Sequence, residues 1–473
     1  MFWDDLGAHP CFGMDLWPDT SRLRGNYWTL EPAIAINARN DQTFFIDTTA
    51  PVAHYINDKK QSQRSQENGS FWGGQALSDV RYRNILIRQV LDVDSRNKDD
   101  LDYRGKTDRF AAGRIAEAYC QVDWKHVFFR IGRLSRNWGP FPDRSLLLSS
   151  NPHSYDALEF SLASTLFEFR YLFAAFPYGN SSVDAEGTNT NRYLSVHSLN
   201  LRLGRFGEIG FFESLLFSRG GGLPDLQLVN PFSLYSVINT NGEGTGNLML
   251  GAQWNVHPFI QNMCLKGQIL IDDIQVDNKS PMDQEPTHWG VDLGAYYSDF
   301  LPMKKKHLLS LEYRYLSRWL YTVNPPDSRD GQRYSYLGRS LGAETNDNDR
   351  VNLSFFIAGK NYWAGTCGIS VNRQGENSLW SNWKNSSKDS LIAPNVLGYR
   401  TESKFPSGIV EKTIDFYVSL MGYYKNFADI SLKLNNRWIK NKNNLFTGSY
   451  EYDPLISLSV SFHYSNFILP LPE

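Results

Sequence analysis

The sequence predicts an all-β chain: a transmembrane antiparallel up-and-down β-barrel of about 18 strands with long extracellular loops. Three observations predict it. Apolar and polar residues alternate with a period of two through most of the chain, which puts them on opposite faces of a strand. The alternating segments run mostly to about 8–14 residues, against about 5–6 for strands of soluble proteins. Connections of two to five residues take turns with long polar ones, the asymmetry of a membrane barrel.

Taken in order, residues 1–30 form an extension rich in Gly, Pro and Trp, a possible periplasmic segment or partial plug, and 31–473 form a single barrel. Strands are expected over 32–39, 42–49, 79–92, 112–124, 126–133, 156–163, 165–173, 193–203 and 207–217. They continue over 246–256, 262–275, 289–298, 307–317, 351–359, 362–372, 411–424, 427–438 and 455–466. In the fourth of these, Ala116, Ala118, Cys120, Val122 and Trp124 oppose Glu117, Gln121 and Asp123. In the seventh, Phe167, Phe169, Tyr171 and Phe173 oppose Glu168 and Arg170. The last is the most regular: Ile456, Leu458, Val460, Phe462 and Tyr464 oppose Ser457, Ser459, Ser461 and His463. The long connections are polar, and only Pro231–Ile238 suggests a short helix.

Period two cannot say which face is the core. In a soluble sandwich the polar face looks out; in a membrane barrel it looks into a wet lumen. Strand length favours the membrane. So do aromatics at segment ends (Phe71-Trp72, Tyr296-Tyr297, Trp319 to Tyr321, Tyr362-Trp363, Tyr423-Tyr424), where interfacial girdles would lie. On this reading Glu117, Glu168, Arg170, Asp272, Glu312 and Arg314 face the lumen. Asp272 and Asp273 are neighbours on a strand, so only one reaches the lumen, where pairing with an Arg is expected rather than a bound cation.

Composition excludes several classes. A net charge of −2 over 473 residues, without clustered Lys and Arg, gives no nucleic-acid partner. Mean hydropathy is −0.43, as suits both soluble chains and outer-membrane barrels. Cys11, Cys120, Cys264 and Cys367 are far apart and read as small apolar residues, not as a metal or disulfide set. No metal and no cofactor is expected. No run of 18 apolar residues marks a transmembrane helix. Met1-Phe-Trp-Asp-Asp does not read as a signal peptide, so an outer-membrane location implies a leader removed or a start further upstream. No GxSxG, HExxH or P-loop appears, and His153, Ser154 and Asp156 are neighbours in sequence without the geometry of a triad.

The alternation breaks once, from Arg133 to about Asp156. Pro140 and Pro142 cannot donate to a ladder and Gly139 permits unusual backbone angles, so the chain leaves the sheet after Gly132. Unpaired backbone in lipid is costly, so this loop should fold into the lumen or over a rim. Gly132-Arg133, Asn137-Trp138-Gly139-Pro140 and Ser145-Leu-Leu-Leu-Ser-Ser-Asn151 together resemble the signature of the Wzi-like capsule assembly family. Asn68 to Gln75, Asn247 to Gly251, Gln268 to Ile274, Leu311-Glu312-Tyr313, and Leu341-Gly342 before Asn348-Asp349-Arg350 are similar to its other stretches, in the same order, over roughly 68–360.

The resemblance implies an 18-stranded bacterial outer-membrane barrel, expected to be monomeric, that attaches capsular or exopolysaccharide to the cell surface without catalysis. The family's best-known members carry a helical N-terminal plug, which residues 1–30 here are too short and too rich in Gly, Pro and Trp to form. On this reading Trp138 offers a platform to a sugar ring. Arg133, Arg136, Asn137, Asp143, Arg144 and Asn151 surround it to bind hydroxyls, or uronate carboxylates through the planar Arg fork. The loop could equally be a constriction braced by its own Arg–Asp pairs. A porin or substrate-specific channel would instead have an open pore with a charged constriction. A glycan-active enzyme would need two of Glu117, Glu168, Asp272 and Glu312 to converge.

Overall fold

The computed structural model describes residues 27–40, 69–95, 112–142, 144–176, 190–220, 223–242, 246–273, 287–303, 305–323, 332–337, 339–359, 363–379, 404–424, 428–445, 447–463 and 467–470, with 103, 105, 106, 108 and 109. Most of it is strand. In chain order these are β1 (Tyr27–Asn40), β2 (Gly69–Tyr82), β3 (Ile85–Asp94), β4 (Ala112–Trp124), β5 (Val127–Leu134), β6 (Tyr155–Ala163) and β7 (Phe167–Phe176). Next come β8 (Thr190–Arg202), β9 (Gly207–Gly220), β10 (Asn247–Val256), β11 (Met263–Asp273), β12 (His288–Ser298), β13 (Lys306–Leu316), β14 (Ser335–Tyr336) and β15 (Arg339–Ser340). The last are β16 (Asn348–Ala358), β17 (Trp363–Gln374), β18 (Glu411–Tyr424), β19 (Ala428–Lys440), β20 (Tyr450–His463) and β21 (Phe467–Pro470).

Nineteen strands make one antiparallel sheet, and β14 and β15 make a separate two-residue hairpin. Each strand of the sheet pairs with the next as far as β20, and β20 and β21 both return to β1, β21 beyond the end of β20. The sheet therefore closes, with β21 prolonging the last stave, and the expected count of about 18 staves is what the pairing yields. Closure removes the unpaired edges a sheet of this size would otherwise expose.

The wall is apolar outside and polar inside. Ile131, Phe211, Leu311 and Ile430 are each more than half exposed, and the facing side buries Gln121, Arg130, Glu159, Gln268 and Asp292. This inversion of a soluble protein's pattern settles the choice of face that period two left open.

Some expectations change. The segment expected as one strand over 79–92 is a hairpin, β2–β3, turning at Arg83, whose φ is +53°. With no Gly or Pro there, Asn84 is the one turn-favouring residue that marks it. β1 begins at Tyr27, inside the expected extension, and the strand expected over 42–49 lies outside the described residues. β5 keeps its ladder through Leu134, two residues past Gly132. Trp319 and Tyr321 are not girdle residues: both are buried, Tyr321 within the lumen core. An extra residue, Ala116, bulges β4 between Ile115 and Glu117, so the alternation read there shifts phase and Ile115 faces outward. Around Pro231–Ile238 the structure has two short helices, Leu226–Val229 and Tyr235–Thr240. Among the described residues Cys120, Cys264 and Cys367 are free thiols.

Candidate functional site

Two long connections from the same end of the barrel fold inward and meet. One is 135–154, between β5 and β6. The other is 317–347, between β13 and β16, which carries the β14–β15 hairpin. Their apolar side chains form one cluster with the inner wall of β6–β13: Trp138, Leu146, Leu147 and Leu148 from the first, Leu320, Tyr321, Tyr334 and Leu341 from the second. Backbone polarity is satisfied between them. Ser149 N donates to Leu341 O at 2.7 Å and Ser149 Oγ to Gly342 O. Asn151 Nδ2 donates to Ser340 O at 3.0 Å. The Tyr321 hydroxyl donates to Leu146 O at 2.6 Å and accepts from Ala343 N at 3.1 Å. Gly342 is required here, because a Cβ would sit 2.3 Å from Leu146 O.

Gln268 on β11 anchors the first loop to the wall. Its Oε1 accepts from Leu146 N at 2.6 Å and from Ser145 Oγ at 3.1 Å, while its Nε2 donates to Trp138 O at 3.2 Å. Arg136 ties the loop's two ends. Its guanidinium donates to Leu134 O, Tyr155 O and Gly132 O, meets Glu159 at 2.7 Å and lies over the Tyr155 ring. All three nitrogens of its fork are engaged within the protein.

The expected site residues therefore divide. Arg136 is an internal staple. Trp138 is 3% exposed, and Arg170 covers its ring at 4.2 Å, so the face expected to meet a sugar is taken by a guanidinium. Asn137 Nδ2 donates to Phe141 O, and Asn151 braces the second loop. Arg133 shares the outer face with Ile131 and pairs with the exposed Asp156, so it is on the wrong side of the wall for a lumen site. Asp143 lies outside the described residues.

Arg144 reaches across to the opposite strands. It meets Asp292 and Glu312, each at 2.9 Å, and Arg314 meets the same Asp292 at 3.2 Å. Glu312 also accepts from Tyr296 OH and Asn352 Nδ2. Burial works against the Arg144 charge, but Asp292 and Glu312 more than offset it and its pKa is raised. Arg350 stands opposite Arg314 in register, faces the same lumen and is exposed. No carboxylate lies within ion-pair distance of it among the described residues. The result is three arginines, two carboxylates and one guanidinium left facing water.

The other expected lumen charges do face inward but are not gathered there. Glu168 pairs loosely with Arg170 at 3.9 Å. Glu117 sits on β4 in the field of Arg88 and Arg130. Asp272 was expected to pair with an Arg; instead it is the extra residue of a bulge between β11 and β12, accepts from Tyr321 N at 2.7 Å and lies 3.7 Å from His288. Among the described residues no group of His, Cys, Asp and Glu is placed to hold a metal.

The decisive partners missed in the sequence are Glu159, Gln268, Asp292 and Arg350. Each is legible as an inward position by alternation. None is legible as a partner, since Arg144 and Asp292 are 148 residues apart.

His153, near the rim, contacts Arg114 through Nδ1 at 2.8 Å, so no Ser–His–Asp arrangement forms. Burial first, then the Arg114 charge, lowers its pKa to about 4. The unfolded chain takes up this proton near the ordinary His pKa, about 6.5, before the folded chain does. The stability it contributes is thus present above about 6.5 and declines as pH falls toward 4. NMR titration should place the His153 midpoint near 4; a midpoint at 6 or above means the ring is free of Arg114.

A closed antiparallel wall, apolar outside and polar within, makes this a membrane-type β-barrel. Comparison of structures bears out that class. Over 93% of this chain and 85% of that one, at 11% identity and a TM-score of 0.57, it is similar to Wzi of Escherichia coli, an outer-membrane protein involved in group 1 capsule assembly and a carbohydrate-binding β-barrel. Over 95% of this chain and all of that one, at 8% identity and a TM-score of 0.50, it is similar to OccAB4 of Acinetobacter baumannii. No protein-family model matches the sequence, and no curated protein matches it.

Proposed function

We propose that this chain is a bacterial outer-membrane protein that binds polysaccharide at the cell surface and takes part in attaching it there, without catalysis. One observation carries the reading. The two inward loops build a dry core in the lumen, and what they leave facing water is Arg350, beside the ion-paired Arg144 and Arg314. A solute channel needs a wet path along its axis, whereas a binding protein needs a stable wall that presents groups. Arg350 is suited to an acidic sugar, because a planar guanidinium recognises a carboxylate bidentately. The resemblance of the loop to the capsule assembly family supports the same reading.

A substrate-specific channel is the second reading. The polar, partly exposed wall at Asn352, Asp415 and Tyr417, beside Arg350, favours it.

Purified, detergent-folded protein assayed for binding to its host's surface polysaccharide and for conductance in planar bilayers separates the two. The expected result is binding without conductance, with Arg350→Ala weakening binding about tenfold, or ~1.4 kcal/mol. Conductance without binding gives the channel reading its place.

A further inference from the structure

Residues 223–242, between β9 and β10, do not join the lumen core. They lie on the outside of the barrel. Leu199 and Phe211 are exposed on the outer wall and face each other in register. Two residues further along the same face His197 opposes Glu213, then Ser195 opposes Leu215, then Tyr193 opposes Phe217. These outward residues are covered, and the cover is the segment Leu223–Gly242. Leu228 and Tyr235 are fully buried against Tyr193, Leu215 and Phe217. Phe232 stacks on Phe169 at 5.4 Å and Tyr235 on His197 at 4.8 Å.

The contacts are polar as well. His197 Nε2 lies 3.2 Å from Glu213, and Glu213 accepts from Tyr235 N at 2.8 Å and from Ser236 Oγ at 2.5 Å. Ser195 Oγ donates to Leu228 O at 2.6 Å, and the Tyr171 hydroxyl donates to Val229 O. Helical bonds such as Asn230 N to Leu226 O and Asn241 N to Val237 O take up more of the backbone.

Its other side exposes large apolar side chains, with the uncharged Gln227, Asn230, Thr240 and Asn241 also exposed. Leu223 and Leu226 are 89% and 85% exposed, Phe232 is 73% exposed, and Leu234 and Val237 are at least half exposed. From Leu226 to Gly242 there is no Asp, Glu, Lys or Arg.

We propose that Leu223–Gly242 is a membrane-embedded strap whose outer surface faces lipid acyl chains on the long-loop side of the bilayer. Three features favour hydrocarbon as the occupant. The bare face continues the apolar belt of Leu199 and Phe211. From Leu226 onward the segment carries no charge, and Asp225 just before it is paired with Arg219. Carbonyls of Leu226, Leu228, Val229, Leu234 and Val237 are paired to wall hydroxyls or helical turns, which lowers the cost of placing backbone in hydrocarbon. The strap also explains how His197 and Glu213, in contact at 3.2 Å, stand on the lipid side of a strand, since polar groups there need cover. The inference rests on the barrel fold and not on the polysaccharide reading.

The test is a nitroxide label in phospholipid vesicles, on the full chain with its four cysteines replaced. Labels go at Leu223→Cys, Leu226→Cys and Phe232→Cys, with Phe211→Cys as the lipid reference and Leu445→Cys in the β19–β20 connection as the aqueous one. Collision rates with oxygen, which partitions into lipid, and with a water-soluble nickel chelate are compared. The expected oxygen-to-nickel ratio at the strap matches Phe211→Cys and exceeds Leu445→Cys several-fold. A nickel-favoured ratio puts the strap in water and overturns the proposal. Labels reached by neither reagent mean a second copy of the chain covers it, which overturns it too. If Phe232→Cys fails to fold through loss of its stack on Phe169, the two contact-poor leucine sites decide the question.

Discussion

Arg136→Ala is expected to lower the stability of the folded barrel by about 3–5 kcal/mol, the cost of removing one partner from a buried ion pair. Arg136 and Glu159 are both buried, with side-chain exposures of 1% and 5%. The substitution strips the carbonyls of Leu134, Tyr155 and Gly132 of a donor, and leaves Glu159 with Arg130 at 3.7 Å as its remaining cation. Denaturant unfolding in detergent reads the loss. Because Arg136 ties the entry of the inward loop to its exit, the same variant should give a larger bilayer conductance than the wild type. Glu159→Gln should cost less, since an amide oxygen still accepts from Arg136. Equal stability for Arg136→Ala and wild type would mean that the loop is held by its apolar cluster alone.

Trp138→Ala should be nearly as costly, about 3–5 kcal/mol, in the range of large-to-small changes at buried aromatic sites. The ring fills the space between the loop and Arg170, and its removal leaves a cavity beneath a guanidinium that has lost the π-face it covers. Trp138→Phe should recover most of the stability. This discriminates between two roles for the Trp-Gly-Pro turn. A sugar platform would lose affinity while keeping its unfolding midpoint; a core residue would lose the midpoint. The geometry predicts the second, and the same unfolding curves decide it.

Much of this was legible beforehand, and the misses have identifiable causes. Alternation located most staves because lipid outside and water inside demand opposite faces along every strand. It failed where the backbone departs from strict period two: at the bulges of Ala116 and Asp272, and at the Arg83 turn, where a non-glycine residue takes a positive φ. The departure of the chain into an inward loop was readable from Pro140 and Pro142. The roles of its residues were not. Arg136 and Trp138 are residue types that serve a sugar site or a packed interior equally well, and only their neighbours distinguish the two.

By itself, then, the sequence determined the strands, their two faces, the alternation of tight and long connections, and the point at which one connection must leave the sheet. Those are local properties, set by side-chain period and by proline's missing donor. The tertiary structure alone decided which face meets water, which guanidiniums are consumed as staples and which remains exposed, and that one long connection lies outside the wall while two others fill the lumen. These depend on closure. Until β20 returns to β1 there is no inside, and residues as far apart as Arg144 and Asp292 have no common environment in which opposite charges can pair.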